Sequence, residues 1–132
     1  MIHPSLFLRR AIQADALVSG AMALLLVFGA GLLASLLNLP EAFLRNTGII
    51  LVVYAALVGL LGTRSIMSKA GVWAVIAANA IWAVACIALL LSGWMSPNLL
   101  GQIFIVIQAI AVGVFAELQF IGLRRSASAV TA

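Results

Sequence analysis

Charge is what this sequence has least of: seven basic and three acidic residues among 132, with a single histidine, cysteine and tyrosine beside them. At 8% charged and 66% hydrophobic, it lies far from the soluble balance of roughly a quarter charged and half apolar. A water-soluble fold has no means of hiding so much apolar surface. The one histidine, His3, stands in the N-terminal segment and leaves no donor pair for axial haem ligation within a bundle. Three acidic residues and one histidine form no cluster with metal-ligand spacing, so neither metal nor cofactor is expected. Cys86 has no second cysteine to pair with and reads as a small core hydrophobe. No serine or cysteine has a base within motif distance, and Lys69 stands at a connector, which leaves no core lysine for a Schiff base. Enzymatic function is not expected of this chain.

What is present is four apolar runs: Ala16 to Leu37, Thr47 to Thr63, Ala70 to Met95 and Leu99 to Leu123. An α-helix rises about 1.5 Å per residue, so crossing a hydrocarbon layer about 30 Å thick takes roughly 20 residues. Each run meets or approaches that length, giving spans at about 14–37, 45–63, 70–94 and 99–123 in a single domain covering 1–132. The second is the shortest and invites extension through Phe43 and Leu44. Asn38-Leu39-Pro40 ends the first span, because proline cannot continue a helix, and Gly93-Trp94-Met95-Ser96-Pro97-Asn98 ends the third. Continuous apolar runs exclude the alternation of a β-barrel, and backbone groups in lipid must be satisfied internally. The expected fold is all-α: a polytopic membrane protein built as an antiparallel four-transmembrane-helix bundle.

Basic residues favour the cytoplasmic side of short loops. Arg9, Arg10, Arg64, Lys69, Arg124 and Arg125 fall on one side of the four spans, and only Arg45, beside Glu41, falls on the other. Both termini are therefore expected in the cytoplasm, and a bacterial inner membrane fits the short loops. The net charge of +4 is accounted for by this topology rather than by nucleic-acid binding. The first run is about twice the length of a signal-peptide core, so it reads as a retained span. Leu6 to Gln13 suggests an interfacial lead-in, and Ser126 to Ala132 a disordered tail. Trp73 and Trp94, about 31 Å apart on a helix, fit the two interfacial belts.

Polar residues inside apolar spans are expensive in lipid and turn toward protein or water. They are Asp15, Ser19, Tyr54, Asn79, Gln108, Glu117 and Gln119. Glu117 stands out as the acidic residue deepest in a span, sharing a face with Gly113 and Ile110 and lying two turns before Arg124. It reads either as a proton or cation relay, or as a structural group paired with Arg64 or Arg124 or hydrogen-bonded to Asn79. The candidate intramembrane cluster is Asp15, Asn79, Glu117, Arg64 and Arg124, with Tyr54, Gln108 and Gln119 as secondary candidates. Asp15, at the entrance of its span, reads as a helix-terminal charge neutralised by Arg9 or Arg10. Asn79 reads as an interhelical hydrogen-bonding group.

Gln108 and Gln119 share a face of the fourth helix, whereas Glu117 points about 200° away from Gln119. One polar face can line the bundle, and the other meets a second copy, a larger membrane-protein partner or a lipid headgroup. Pairs of small residues four apart, such as Ala16 and Gly20 or Ala109 and Gly113, allow close helix approach. Overlaying the two hairpins at an offset of sixty positions aligns Gly62-Thr63-Arg64-Ser65 with Gly122-Leu123-Arg124-Arg125, suggesting an internal duplication about an axis along the membrane normal.

The segments Ala77-Ala78-Asn79-Ala80-Ile81-Trp82 and Ala116-Glu117-Leu118-Gln119-Phe120-Ile121-Gly122-Leu123-Arg124-Arg125 resemble those of small four-span bacterial integral membrane proteins. That resemblance implies a helical bundle and no particular activity. The chain is unlike the small multidrug transporters, whose first helix carries a mid-membrane glutamate that is missing here. Two functions are consistent with the sequence. One is a structural or accessory protein that assembles with itself or with a larger complex. The other is a small oligomeric transporter or channel for protons or a cationic or amphipathic solute, using Glu117, with Asn79, Tyr54 and Gln108 along the route.

Overall fold

The computed structural model describes residues 1–128. Seven elements follow in order: strand β1 (Ile2–His3), helices α1 (Leu6–Phe28), α2 (Ala30–Leu37), α3 (Glu41–Thr63), α4 (Lys69–Ser92) and α5 (Leu99–Arg124), and strand β2 (Ala127–Ser128). Helices α1, α3, α4 and α5 are each long and apolar enough to cross a membrane. The architecture is thus helical with four candidate spans.

Helix limits follow local chemistry. Ser5 caps α1, its hydroxyl accepting from the Leu8 amide, and Ser68 and Asn98 cap α4 and α5 by accepting from Gly71 and Gly101. Such caps satisfy amides that a helix start leaves without partners. Glycine at position 29 interrupts the first long helix, dividing α1 from α2 at φ −104° and ψ 11°. Asn38 then ends α2 in the left-handed region at φ 55°, a conformation asparagine tolerates. Gly93 does the same for α4 at φ 68°, so Trp94 lies beyond the helix end. Helix α3 begins at Glu41, and the span that reads shortest in the sequence is a helix of 23 residues.

Helix α1 packs mainly on α3, and α4 mainly on α5, while α1 and α2 join the two hairpins through α5; α3 and α4 hardly touch although they are neighbours in sequence. Glycines set the approach of α5 to the first hairpin. A Cβ at Gly122 would lie 2.7 Å from the Leu8 Cα, and one at Gly101 would meet the Leu37 carbonyl oxygen. Backbone meets backbone at both ends of α5, which no larger residue permits.

One end of the bundle is closed. The Ile2 amide and carbonyl pair with Met67, β1 pairs antiparallel with β2, and the Ser5 amide donates to the Ser126 hydroxyl. Beneath this strap, Ile2, Leu8, Ile12, Met67, Val72 and Leu123 form one apolar core cluster. Six basic residues flank this end. The lead-in expected at Leu6 to Gln13 is instead the first turns of α1, with Leu8 and Ile12 fully buried. Gly62 and Gly122 make room for it. The tail expected to be disordered is ordered through Ser128 by its pairing with β1, and residues 129–132 lie outside the described residues. At the opposite end, Asn38 Nδ2 donates to the Ser96 carbonyl and Asn98 Nδ2 to the Leu36 carbonyl.

Candidate functional site: a buried carboxylate beside a lateral cleft

The buried residues of α1 follow one stripe: Leu8, Ala11, Ile12, Asp15, Ser19, Ala23 and Leu26. Spacings of three and four residues place them on a single helix face, and that face turns inward. Asp15 therefore sits about 14 Å along α1 at 1.5 Å per residue, with no exposed surface. It is not the helix-terminal charge that its position near the basic end suggests. Helix α1 starts at Leu6, and Arg9 is occupied elsewhere, donating to the carbonyls of Gly62 and Arg64 at 2.7 Å each. Arginine there answers the unpaired carbonyls at the end of α3.

Four donors converge on the Asp15 carboxylate. Ser19 Oγ donates to Oδ1 at 2.8 Å. Tyr54 OH, Asn79 Nδ2 and Gln119 Nε2 donate to Oδ2 at 2.7, 2.8 and 2.7 Å. Asn79 Nδ2 also donates to Gln119 Oε1 at 3.0 Å. The donors come from α1, α3, α4 and α5, so one side chain ties all four spans together. The set suits a carboxylate, which accepts hydrogen bonds and cannot donate them. Among the described residues no cation touches it: the one ion pair there is Arg45 with Glu41, at the opposite end and exposed.

Next to this node lie two adjoining spaces. A partly open inner chamber of about 170 Å³ is bounded by Ser19, Tyr54, Asn79, Trp82, Gln108 and Phe115 among others, with the exposed Val18 and Ile107 at its rim. An outer cleft of about 590 Å³ runs between α3 and α4 toward Phe43 and Trp94, and includes Thr47, Ile81, Cys86 and Phe104. Tyr54, Ala78, Trp82 and Gln108 border both. Ile50, Ile81 and Trp94, all exposed, mark where the cleft opens sideways. The opening follows from the poor contact between α3 and α4. The cleft thus begins at the end remote from the strap and reaches the polar node at mid-depth.

The residues singled out from sequence separate into three groups. Asp15, Asn79, Tyr54 and Gln119 meet in the node, and Ser19 joins them. Gln108 lies at the junction of chamber and cleft, on the same inward side of α5 as Gln119. Glu117, Arg64 and Arg124 stand apart, all exposed. Arg124 lies over the Phe120 ring at 5.8 Å from its centroid. The cluster read from sequence as Asp15, Asn79, Glu117, Arg64 and Arg124 is therefore not one constellation. Glu117 projects from the outer side of α5 because the glycines at 101 and 122 fix the opposite side against α1 and α2. Ala78 and Phe115 are among the lining residues that sequence reasoning missed, and Trp82 shares the face of α4 that carries Asn79. Their signal was their spacing to Asn79 and Gln108 along α4 and α5.

Together these features define a helical bundle with four candidate membrane spans, a buried polar node and a lateral cleft. No protein-family model, curated protein or solved structure matches the chain.

Proposed function

We propose that the protein is a small integral membrane protein that binds an amphipathic small molecule in the lateral cleft, as a carrier or transporter rather than an enzyme. The observation that carries this reading is the cleft itself: mostly apolar walls ending at a few convergent polar groups. Ligand sites in proteins share that make-up. The Gln108 amide, the Trp82 indole N–H and the Thr47 hydroxyl border the cleft and make no side-chain hydrogen bond to any described residue. They are free to bond a guest. The lateral opening supports access from the acyl chains, with the apolar body of the guest in the outer cleft and its polar end in the chamber. In this reading the basic end with the strap faces the cytoplasm of a bacterial inner membrane, and the cleft opens toward the outer leaflet.

The test is to extract the protein gently from its native membrane and weigh it by native mass spectrometry. The wild type is expected to carry a reproducible small ligand, and Ala78→Phe, which fills the junction, to lose it. A wild type that carries no small molecule beyond bulk lipid refutes the reading.

An accessory role remains the second reading, favoured by one feature. Glu117 is exposed on the outer side of α5, and a Cβ at Gly113 would meet nothing within 4 Å. A carboxylate facing lipid is costly, and a second copy or a larger membrane protein would shield it. Recovery of a stoichiometric complex that Glu117→Ile abolishes would favour this role.

A further inference from the structure

Building on the binding reading above, we infer that the guest carries a positive charge, an amine or quaternary ammonium group, that sits in the inner chamber. Two independent features converge on that charge. The first is electrostatic. Asp15 holds the only carboxylate at the node, and hydroxyl and amide dipoles satisfy it instead of a cation. The chamber shares Ser19, Tyr54 and Asn79 with this shell, so a guest there is separated from the carboxylate by one layer of side chains. In a low-dielectric interior a charge of opposite sign at that range is favoured.

The second feature is aromatic. Tyr54, Trp82 and Phe115 border the chamber together, and aromatic faces attract organic cations, quaternary ammonium above all. Size agrees as well. A dry cavity of about 150 Å³ accepts benzene, so a chamber of about 170 Å³ has room for a trimethylammonium head. Gln108 presents an amide oxygen at the junction for a guest that retains an N–H. The alkyl body then lies in the outer cleft between α3 and α4. Neither neighbouring arginine competes: Arg10 is exposed, and Arg9 is held by the carbonyls of Gly62 and Arg64.

The experiment compares octyltrimethylammonium with its uncharged isostere, in which a quaternary carbon replaces nitrogen. Binding is read from Trp82 fluorescence in nanodiscs of zwitterionic lipid, using Trp73→Phe/Trp94→Phe protein, with partition into empty nanodiscs subtracted. The cation should bind at least about tenfold tighter than the isostere. Asp15→Asn should cut that preference at least about threefold, leaving the part the aromatic rings supply, and keep the isostere's affinity within about twofold. Trp82 cannot be both reporter and target, so Phe115→Leu serves as the second variant, lowering the preference without touching the node. Equal binding of both molecules to the Trp73→Phe/Trp94→Phe protein overturns the charge inference and leaves the cleft reading standing. Binding of neither, with Trp82 indifferent to both, overturns the two together. The comparison of cation with isostere, made with Asp15 in place, holds even where Asp15→Asn fails to fold.

Discussion

Gln119→Leu is the sharpest probe of the Asp15 node. Gln119 is fully buried, and its amide makes two bonds that cross between helices: Nε2 to Asp15 at 2.7 Å and Oε1 from Asn79 at 3.0 Å. Leucine nearly matches its volume, so packing changes little, and apolar burial gains nothing where the alternative environment is lipid. What is lost is hydrogen bonding. Interhelical bonds in a bilayer average about 0.6 kcal/mol and reach about 1.7 kcal/mol; a bond to a carboxylate belongs at the upper end. The sum is about 2 kcal/mol. Tyr54→Phe removes a single bond to the carboxylate from another helix and should cost about 1–1.5 kcal/mol. Ser19→Ala should differ in kind. Its bond to Asp15 lies four residues away within α1, and it survives wherever α1 stays helical. Unfolding by sodium dodecyl sulfate separates helices without melting them, so the bond is present on both sides of the equilibrium and its loss should cost less than about 0.3 kcal/mol. The assay is a titration of bicelle-reconstituted protein with that detergent, followed by tryptophan fluorescence. A Ser19→Ala penalty equal to that of Gln119→Leu would refute the node as an interhelical tie.

Gly122→Val should lower stability by at least about 2 kcal/mol, because its Cβ would lie 2.7 Å from the Leu8 Cα and neither backbone can yield without overpacking. Gly113→Ala should be neutral or stabilising by up to about 1 kcal/mol, since open space surrounds the new methyl and glycine weakens a helix; the same titration reads both. Arg9→Met should free the ends of α1 and α3, raising amide hydrogen exchange at Arg64 to Met67 while leaving exchange at Asn79 unchanged. Lipids brominated at mid-chain should quench a protein whose sole tryptophan is Trp82, and Ala78→Phe should reduce that quenching; equal quenching in both would place no acyl chain in the cleft.

The four spans were legible because each is bounded by punctuation that lipid cannot override: Asn38-Leu39-Pro40, and the turn from Gly93 to Pro97. The start of α1 was not. Arg9 and Arg10 read as a headgroup boundary, yet Arg9 is bonded to carbonyls at the end of α3, so the helix continues through it and carries Asp15 to mid-depth. Reading the first helix by face rather than by charge would have found the node. Leu8, Ile12, Asp15, Ser19 and Ala23 fall on one stripe, as do Gly101, Ile105, Gln108, Gln119 and Gly122 on α5. Formal charge drew attention to Glu117, but the close approach that glycine permits decides which side of a helix faces inward. That decision puts Gln119 in the interior and Glu117 outside. The cleft had no sequence signature, because it arises from two adjacent helices that fail to pack, a property of the assembled bundle.

The order of the node's donors along the chain bears on biogenesis. Asp15 belongs to the first long helix made, and Tyr54, Asn79 and Gln119 follow in succession on α3, α4 and α5. The carboxylate meets the bilayer before any of its partners from other helices exists, and its shell is complete only when the last span arrives. A chain arrested before α5 displays an acidic residue in hydrocarbon with the Gln119 donor missing, and Asn79 without its second partner. Completion of the Asp15 shell is thereby tied to completion of the chain.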